Sequence, residues 1–236
     1  MRFASYEHHH RRRVAVEEED GTLLPLPGTT SLTELLARGD GLSGLLAAGT
    51  AAGGVAPGPH LSEVRLLSPF QPASVRDFVT FEEHVEGVRR SVDEVSGVPE
   101  QWYAAPTFCF TNPHAIHGPG DGIPVPPGST AFDFELEVGA VIGREGRDLT
   151  PEQARDHIAG YTVFNDWCGC LAELWGLRGE RTPPALKPGD TVSLTVEGIG
   201  TLTNTVVPGT DPVPLPSRFS LHLSTTGTRR AFRPWH

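Results

Sequence analysis

A chain of 236 residues carrying 29 acidic and 19 basic side chains has a formal charge of −10 and a sequence pI near 5.4. That length holds either one generous β-rich domain or a small N-terminal domain plus a main one, each able to bury a core. The acidic balance argues against a nucleic-acid groove or an anionic membrane surface, since both reward clustered Lys and Arg, and points instead to a small molecule or a metal cation.

The three cysteines, Cys109, Cys168 and Cys170, fit neither a zinc knuckle nor a disulfide framework and read as reduced thiols. No N-terminal stretch resembles a signal peptide, and no window reaches the roughly 18 apolar residues of a spanning helix. The expectation is a soluble, cytoplasmic protein.

In chain order, Met1 to Tyr6 and Val14 to Val16 alternate as the arms of a β-hairpin. Between them, His8 to His10 followed by Arg11 to Arg13 reads as a solvated turn, with a metal-binding tract as the alternative. Ser31 to Leu36 predicts a short helix with Ser31 as N-cap and Glu34 three residues on. The Ala/Gly/Pro-rich stretch Ala47 to His60 reads as a linker, which places a boundary near residue 60.

Past Leu61 the texture changes. Phe78, Phe81, Val85 and Val88 recur at helical spacing and predict a helix over Ser74 to Arg90. Thr107 to Thr111 predicts a short aromatic strand, and Gly118 to Gly128 a run of turns. The strongest strand signal is Phe132 to Ile142, with Phe132, Phe134, Leu136 and Val138 on one face and Asp133, Glu135 and Glu137 on the other. Thr150, Pro151 and Gln153 begin a helix with a capping box, and Gly160 ends it. Tyr161 to Asn165 is a further strand, Leu186 to Asp190 a turn, and Thr191 to Val196 with Thr201 to Val207 a C-terminal hairpin. The tail beyond Pro208, rich in Pro, Ser, Thr and Arg, is expected to be poorly ordered.

Glu135 and Glu137, at i and i+2 of one strand, project to the same side. Like charges that close are costly unless a cation lies between them, and a hard ion such as Mg²⁺, Mn²⁺ or Ca²⁺ would resolve the conflict. A solvated outer face of an amphipathic strand explains the pair equally well. On the predicted helix Asp77 and His84 stand seven positions apart, close to two turns, and so share a face. A lone histidine at such a place is more often a packed or surface residue than a base.

In company, these residues resemble the fumarylacetoacetate hydrolase family. The likeness runs through R-D-F-V-T-F-E-E-H (76–84), D-F-E-L-E-V-G-A-V-I-G (133–143), H-I-A-G-Y-T-V-F-N-D-W (157–167) and L-A-E-L-W-G (171–176). It spans roughly Leu61 to Pro208, and several motifs in order are far more specific than one. The resemblance implies a β-rich α+β fold, a mixed β-sheet roll with a small N-terminal domain over 1–60, a metal-binding catalytic domain over 61–208 and a tail over 209–236. It implies that Asp77, Glu135, Glu137 and Asp166 hold a divalent cation, Mg²⁺ foremost, with Mn²⁺ or Ca²⁺ as alternatives, which polarises the substrate's oxygens. His84 is implied as general base and Glu173 as the carboxylate that orients it. The implied activity is hydrolysis of a carbon–carbon bond in a fumarylacetoacetate- or acylpyruvate-like diketo acid of aromatic catabolism, by a homodimer.

The sequence also departs from the family. There the N-D-W motif usually continues as S-A-R-D into a segment with a catalytic lysine, several strands and a glycine-threonine loop. Here Trp167 runs directly into Cys168, Gly169, Cys170 and Leu171. The only lysine, Lys187, sits in a Leu-Lys-Pro-Gly-Asp turn and is no stand-in. Loss of an oxyanion donor typically costs about a hundred- to a thousand-fold in rate, and loss of strands exposes sheet edges. A catalytically impaired remnant that binds metal or a partner is therefore the alternative. A keto-acid isomerase or decarboxylase on the same scaffold is another. A cupin-like site would want several histidines at strand spacing, where the candidates are carboxylates.

Overall fold

The computed structural model describes residues 1–29, 31–92, 95–168 and 185–213. Among these residues it is β-rich α+β, with four small sheets and few helices. Strands β1 (Arg2–His8) and β2 (Arg11–Glu17) form the expected hairpin, Arg2 opposite Glu17. His9 and His10 make its turn, both left-handed at φ 49° and 61°, the backbone sign that lets a two-residue loop follow the strand twist. Strand β3 (Leu23–Pro25) adds beside β2 and β4 (Arg65–Leu66) beside β1, so this sheet reaches past residue 60.

Three consecutive β2 residues, Val14, Ala15 and Val16, are buried because both faces of the sheet are covered. Val14 and Val16 pack under α1 (Leu32–Leu36) and α2 (Gly41–Ala52) through Leu32, Leu35, Leu45 and Ala52. Ala15 joins Ala4, Tyr6 and Leu23 on the opposite side. Helix α1 is capped as its sequence predicts, Glu34 N donating to Ser31 Oγ over 3.1 Å. Helix α2 corrects the linker: Ala47 to Ala52 are helical, since alanine is the best helix former and the apolar stripe has a sheet to bury against.

A second correction falls on the predicted helix from Ser74 to Arg90. Val75–Phe78 is a strand, β5, and only Glu82–Val92 is helical, as α3. β5 pairs antiparallel with β6 (Phe108–Thr111), and the cross-strand aromatic pair Phe78–Phe108, 5.2 Å between rings, favours the sheet over the helix. Asp77 and His84 therefore do not share a helix face. Helix α4 (Glu100–Ala104) docks by Trp102 Nε1 donating to the Val79 carbonyl over 2.9 Å.

Within the expected turns lies β7 (Gly122–Pro124), which runs parallel to β11 (Gly200–Val207), itself the partner of β10 (Thr191–Val196). Ile123, Phe132 and Val206 close a third core under this sheet, with Trp167 against it. The longest pair is β8 (Asp133–Ile142) with β9 (Ile158–Cys168), joined through α5 (Pro151–Arg155), whose capping box of Thr150 and Gln153 is complete. α5 stops at Arg155, short of Gly160, which already lies in β9. Ala159 and Val141 carry the pair onto the N-terminal core. There Gly143 approaches so closely that a Cβ would lie 2.6 Å from that of Ala159.

The faces of β8 are the reverse of the simple expectation. Leu136 and Val138 are each 50% exposed, while Glu135 and Glu137 are half-buried. The β8–β9 pair has no third strand among the described residues, and Leu136 and Val138 stand half-exposed on its apolar side.

Candidate metal centre

Residues directly opposite in an antiparallel ladder share a face. Glu135 on β8 thus stands against Asp166 on β9, and Glu137, two residues along, lies on the same side opposite Phe164. Asp77 joins from β5, where it faces Cys109 on β6. All four carboxylates are half-buried.

They also feel one another. Burial, then Asp166, then Asp77 and Glu137 push the Glu135 carboxyl up to about 7. Glu137 is raised by burial, then by Asp77 and Asp166; Asp166 is raised by burial and then by Asp77. A set of mutually repelling oxygens in a half-dry place is the donor chemistry of a hard divalent ion. Among the described residues, however, no three His, Cys, Asp or Glu side chains gather as a set that would hold an ion. The carboxylates share a region without closing on a point.

The remaining predicted residues are less drawn in. His84 lies exposed in the first turn of α3, and its ring makes no hydrogen bond or ion pair among the described residues. Glu173 and Cys170 lie outside the described residues. Lys187 is exposed in its turn, where its backbone N–H donates to Asp190 Oδ2 over 2.7 Å.

Sequence reasoning missed two residues that bear on Glu135. Its backbone N–H donates to Oδ1 of the buried Asn165 over 3.0 Å. Cys168, two residues beyond Asp166 on β9, acts on Glu135 in the opposite sense to its carboxylate neighbours, lowering its pKa. The signal was available in the strand period: Asp166 and Cys168, two apart on β9, must share a face.

Residues 73–170 match the family model described as fumarylacetoacetate (FAA) hydrolase C-terminal. Curated relatives from Burkholderia cenocepacia and Burkholderia multivorans, named only provisionally as hydrolases, are each 48% identical over 52 residues. That stretch is 22% of this chain and 18% of theirs. Among solved structures, fumarylacetoacetate hydrolase from psychrophilic Exiguobacterium antarcticum superposes with a TM-score of 0.60 at 20% identity, over 88% of this chain and 99% of its own. Maleylpyruvate hydrolase from Sphingobium sp. SYK-6, in complex with manganese(II) and pyruvate, gives 0.60 at 16% identity over 89% and 100%. The 5-carboxymethyl-2-hydroxymuconate delta-isomerase of Mycobacterium smegmatis gives 0.58 at 21% over 88% and 100%. These likenesses establish the fold. No helix among the described residues is long and apolar enough to cross a membrane.

Proposed function

We propose that this chain, which belongs to the fumarylacetoacetate hydrolase family through residues 73–170, is a divalent-metal-dependent hydrolase cleaving a carbon–carbon bond in a fumarylacetoacetate- or acylpyruvate-like diketo acid. What supports it is that Glu135, Glu137 and Asp166 share one half-buried face of the β8–β9 ladder, with Asp77 on β5 adding to the rise in their pKa.

Those carboxylates would hold the ion, with Mg²⁺ or Mn²⁺ suiting their hard oxygens. Bound there, such a cation supplies Lewis acidity toward the substrate's adjacent oxygens. The half-buried setting would strengthen the attraction between the carboxylates and a cation held among them. His84, exposed and without a hydrogen-bond partner among the described residues, would take a proton from water, with Glu173, which the family resemblance assigns, as its orienting carboxylate. The manganese and pyruvate named with the Sphingobium hydrolase support a keto-acid ligand on a divalent cation. A homodimer fits the half-exposed apolar side of β8, and aromatic catabolism fits the substrate class.

Two alternatives have their own support. The isomerase among the structural relatives favours a rearrangement on the same site. The two-stranded β8–β9 pair favours an impaired remnant that binds metal without turnover. Incubating the full chain with Mn²⁺ and an acylpyruvate, then separating the products, discriminates among them. Pyruvate plus a carboxylic acid means hydrolysis; a rearranged acid of unchanged mass means isomerisation; unchanged substrate with intact metal binding means a remnant.

A further inference from the structure

Away from the carboxylates, the N-terminal sheet carries a cavity of about 340 Å³. Alternation puts Tyr6 and His8 on one face of β1, and Arg13, directly opposite Tyr6 on β2, on the same face. Pro25 of β3 belongs to that face too, since it lies opposite Ala15. The segment Val55–Pro59 walls the other side, tied to β3 by the Gly58 N–H donating to the Leu23 carbonyl over 2.8 Å and the Leu23 N–H to the Pro59 carbonyl over 3.0 Å. Only glycine allows that approach, because a Cβ at 58 would lie 2.8 Å from the Leu23 oxygen.

The lining pairs an apolar wall with unused donors. Tyr6 is fully buried, and its hydroxyl finds no partner among the described residues; native chains seldom leave such a group unpaired. The polar lining beyond it is Arg13 and His8, with no acidic side chain among the described residues, in a chain whose net charge is −10. Arg13 is exposed and makes no ion pair among the described residues.

We propose that this cavity binds a small carboxylate with an apolar, ring-sized body: the carboxylate pairs with the Arg13 guanidinium and accepts from the Tyr6 hydroxyl, while the body lies between Pro25 and the Val55–Pro59 wall. Guanidinium and carboxylate are matched charge-assisted partners, and apolar walls with a few polar groups are the usual form of a small-molecule site. The hydroxyl lies beneath the cavity, so the exposed stretch Val55–Pro57, between Gly54 and Gly58, shifts outward to admit the ligand to it. Left unpaired, that hydroxyl costs the unliganded chain stability; binding gives it an acceptor. The site needs neither a metal nor the carboxylates of β8 and β9.

The test is a calorimetric titration of benzoate, and separately of inorganic phosphate, into the full chain without added metal, and into Tyr6→Phe, Arg13→Gln and Arg12→Gln. Arg12 stands opposite Glu7, on the other face, and controls for net charge. One benzoate per wild-type chain, held more tightly than phosphate, is expected. Tyr6→Phe and Arg13→Gln should each weaken it about tenfold or more, the usual cost of losing a hydrogen bond to a charged group, and Arg12→Gln should leave it unchanged. A thermal melt checks each variant's fold, and the exposed Arg13 carries the comparison if Tyr6→Phe melts early. No benzoate uptake by the wild-type chain overturns the site, as does undiminished affinity in a folded Tyr6→Phe or in Arg13→Gln. Equal weakening by Arg12→Gln and Arg13→Gln, or phosphate held as tightly as benzoate, overturns it too, by reducing it to an anion drawn to a run of arginines.

Discussion

Glu135 and Asp166 face each other directly across the β8–β9 ladder, two carboxylates at a cross-strand position where sheets ordinarily set an opposite-charge or apolar pair. Side chains so placed have Cβ atoms about 5 Å apart, and like charges there work against the fold. The arrangement is a local cost that a bound cation would reverse.

Neutralising one member should therefore stabilise the metal-free chain. Asp166→Asn is expected to raise its melting temperature by ~2–4 °C, the change that about 1 kcal/mol produces in a chain of this size. The same substitution should abolish any further rise on adding Mn²⁺, read in the same melts.

Acidity should act in the same sense. Glu135 has its carboxyl raised from 4.5 to about 7, by burial first and then by Asp166. Because the folded state holds this proton more tightly than the unfolded chain, its contribution to stability is complete below about 4.5 and is lost as pH rises through about 7. Metal-free melts are expected to be lower at pH 8 than at pH 6. Mn²⁺ affinity should move oppositely, strengthening as pH rises through the same window, because the ion and the proton compete for Glu135.

Tyr6 tests the N-terminal core. Its side chain is fully buried, its hydroxyl has no hydrogen-bond partner among the described residues, and burial raises its pKa. A buried polar group left unpaired costs about 1–3 kcal/mol. Tyr6→Phe should match or exceed wild-type stability by about 1 kcal/mol in urea unfolding, whereas a well-bonded tyrosine would lose stability on the same change.

Much of this was legible in the sequence, because local chemistry decided it. Ser31, Thr150 and Gln153 cap the helices they announce, and the hairpins of β1–β2 and β10–β11 follow their alternation. What stayed hidden was set by partners far along the chain. Val75–Phe78 carries residues that suit either state, and only Phe108–Thr111 across the ladder makes it a strand. The inward turn of Glu135 and Glu137, with Leu136 and Val138 left outside, contradicts any rule that apolar faces point in. Motif likeness singles out the carboxylates; that Asn165 takes the Glu135 backbone N–H follows from the β8–β9 register.

The apolar side of β8–β9, half-exposed among the described residues, should bring two copies together. Leu136, Val138 and Tyr161 share that side and are 50%, 50% and 58% exposed. Sedimentation of the wild-type chain is expected to show a dimer, and Val138→Asp a monomer with Mn²⁺ binding retained, since Val138 lies on the face away from Glu135.

If Asp77, Glu135, Glu137 and Asp166 surround one cation, as proposed, loss of either Glu135 or Asp166 should empty the site. Electron paramagnetic resonance counts free Mn²⁺ directly, so titrating the full chain and the Glu135→Gln and Asp166→Asn variants tests it without substrate. One ion bound per wild-type chain and none by either variant is the predicted result. Uptake that persists undiminished in both variants would place the ion elsewhere and contradict the account.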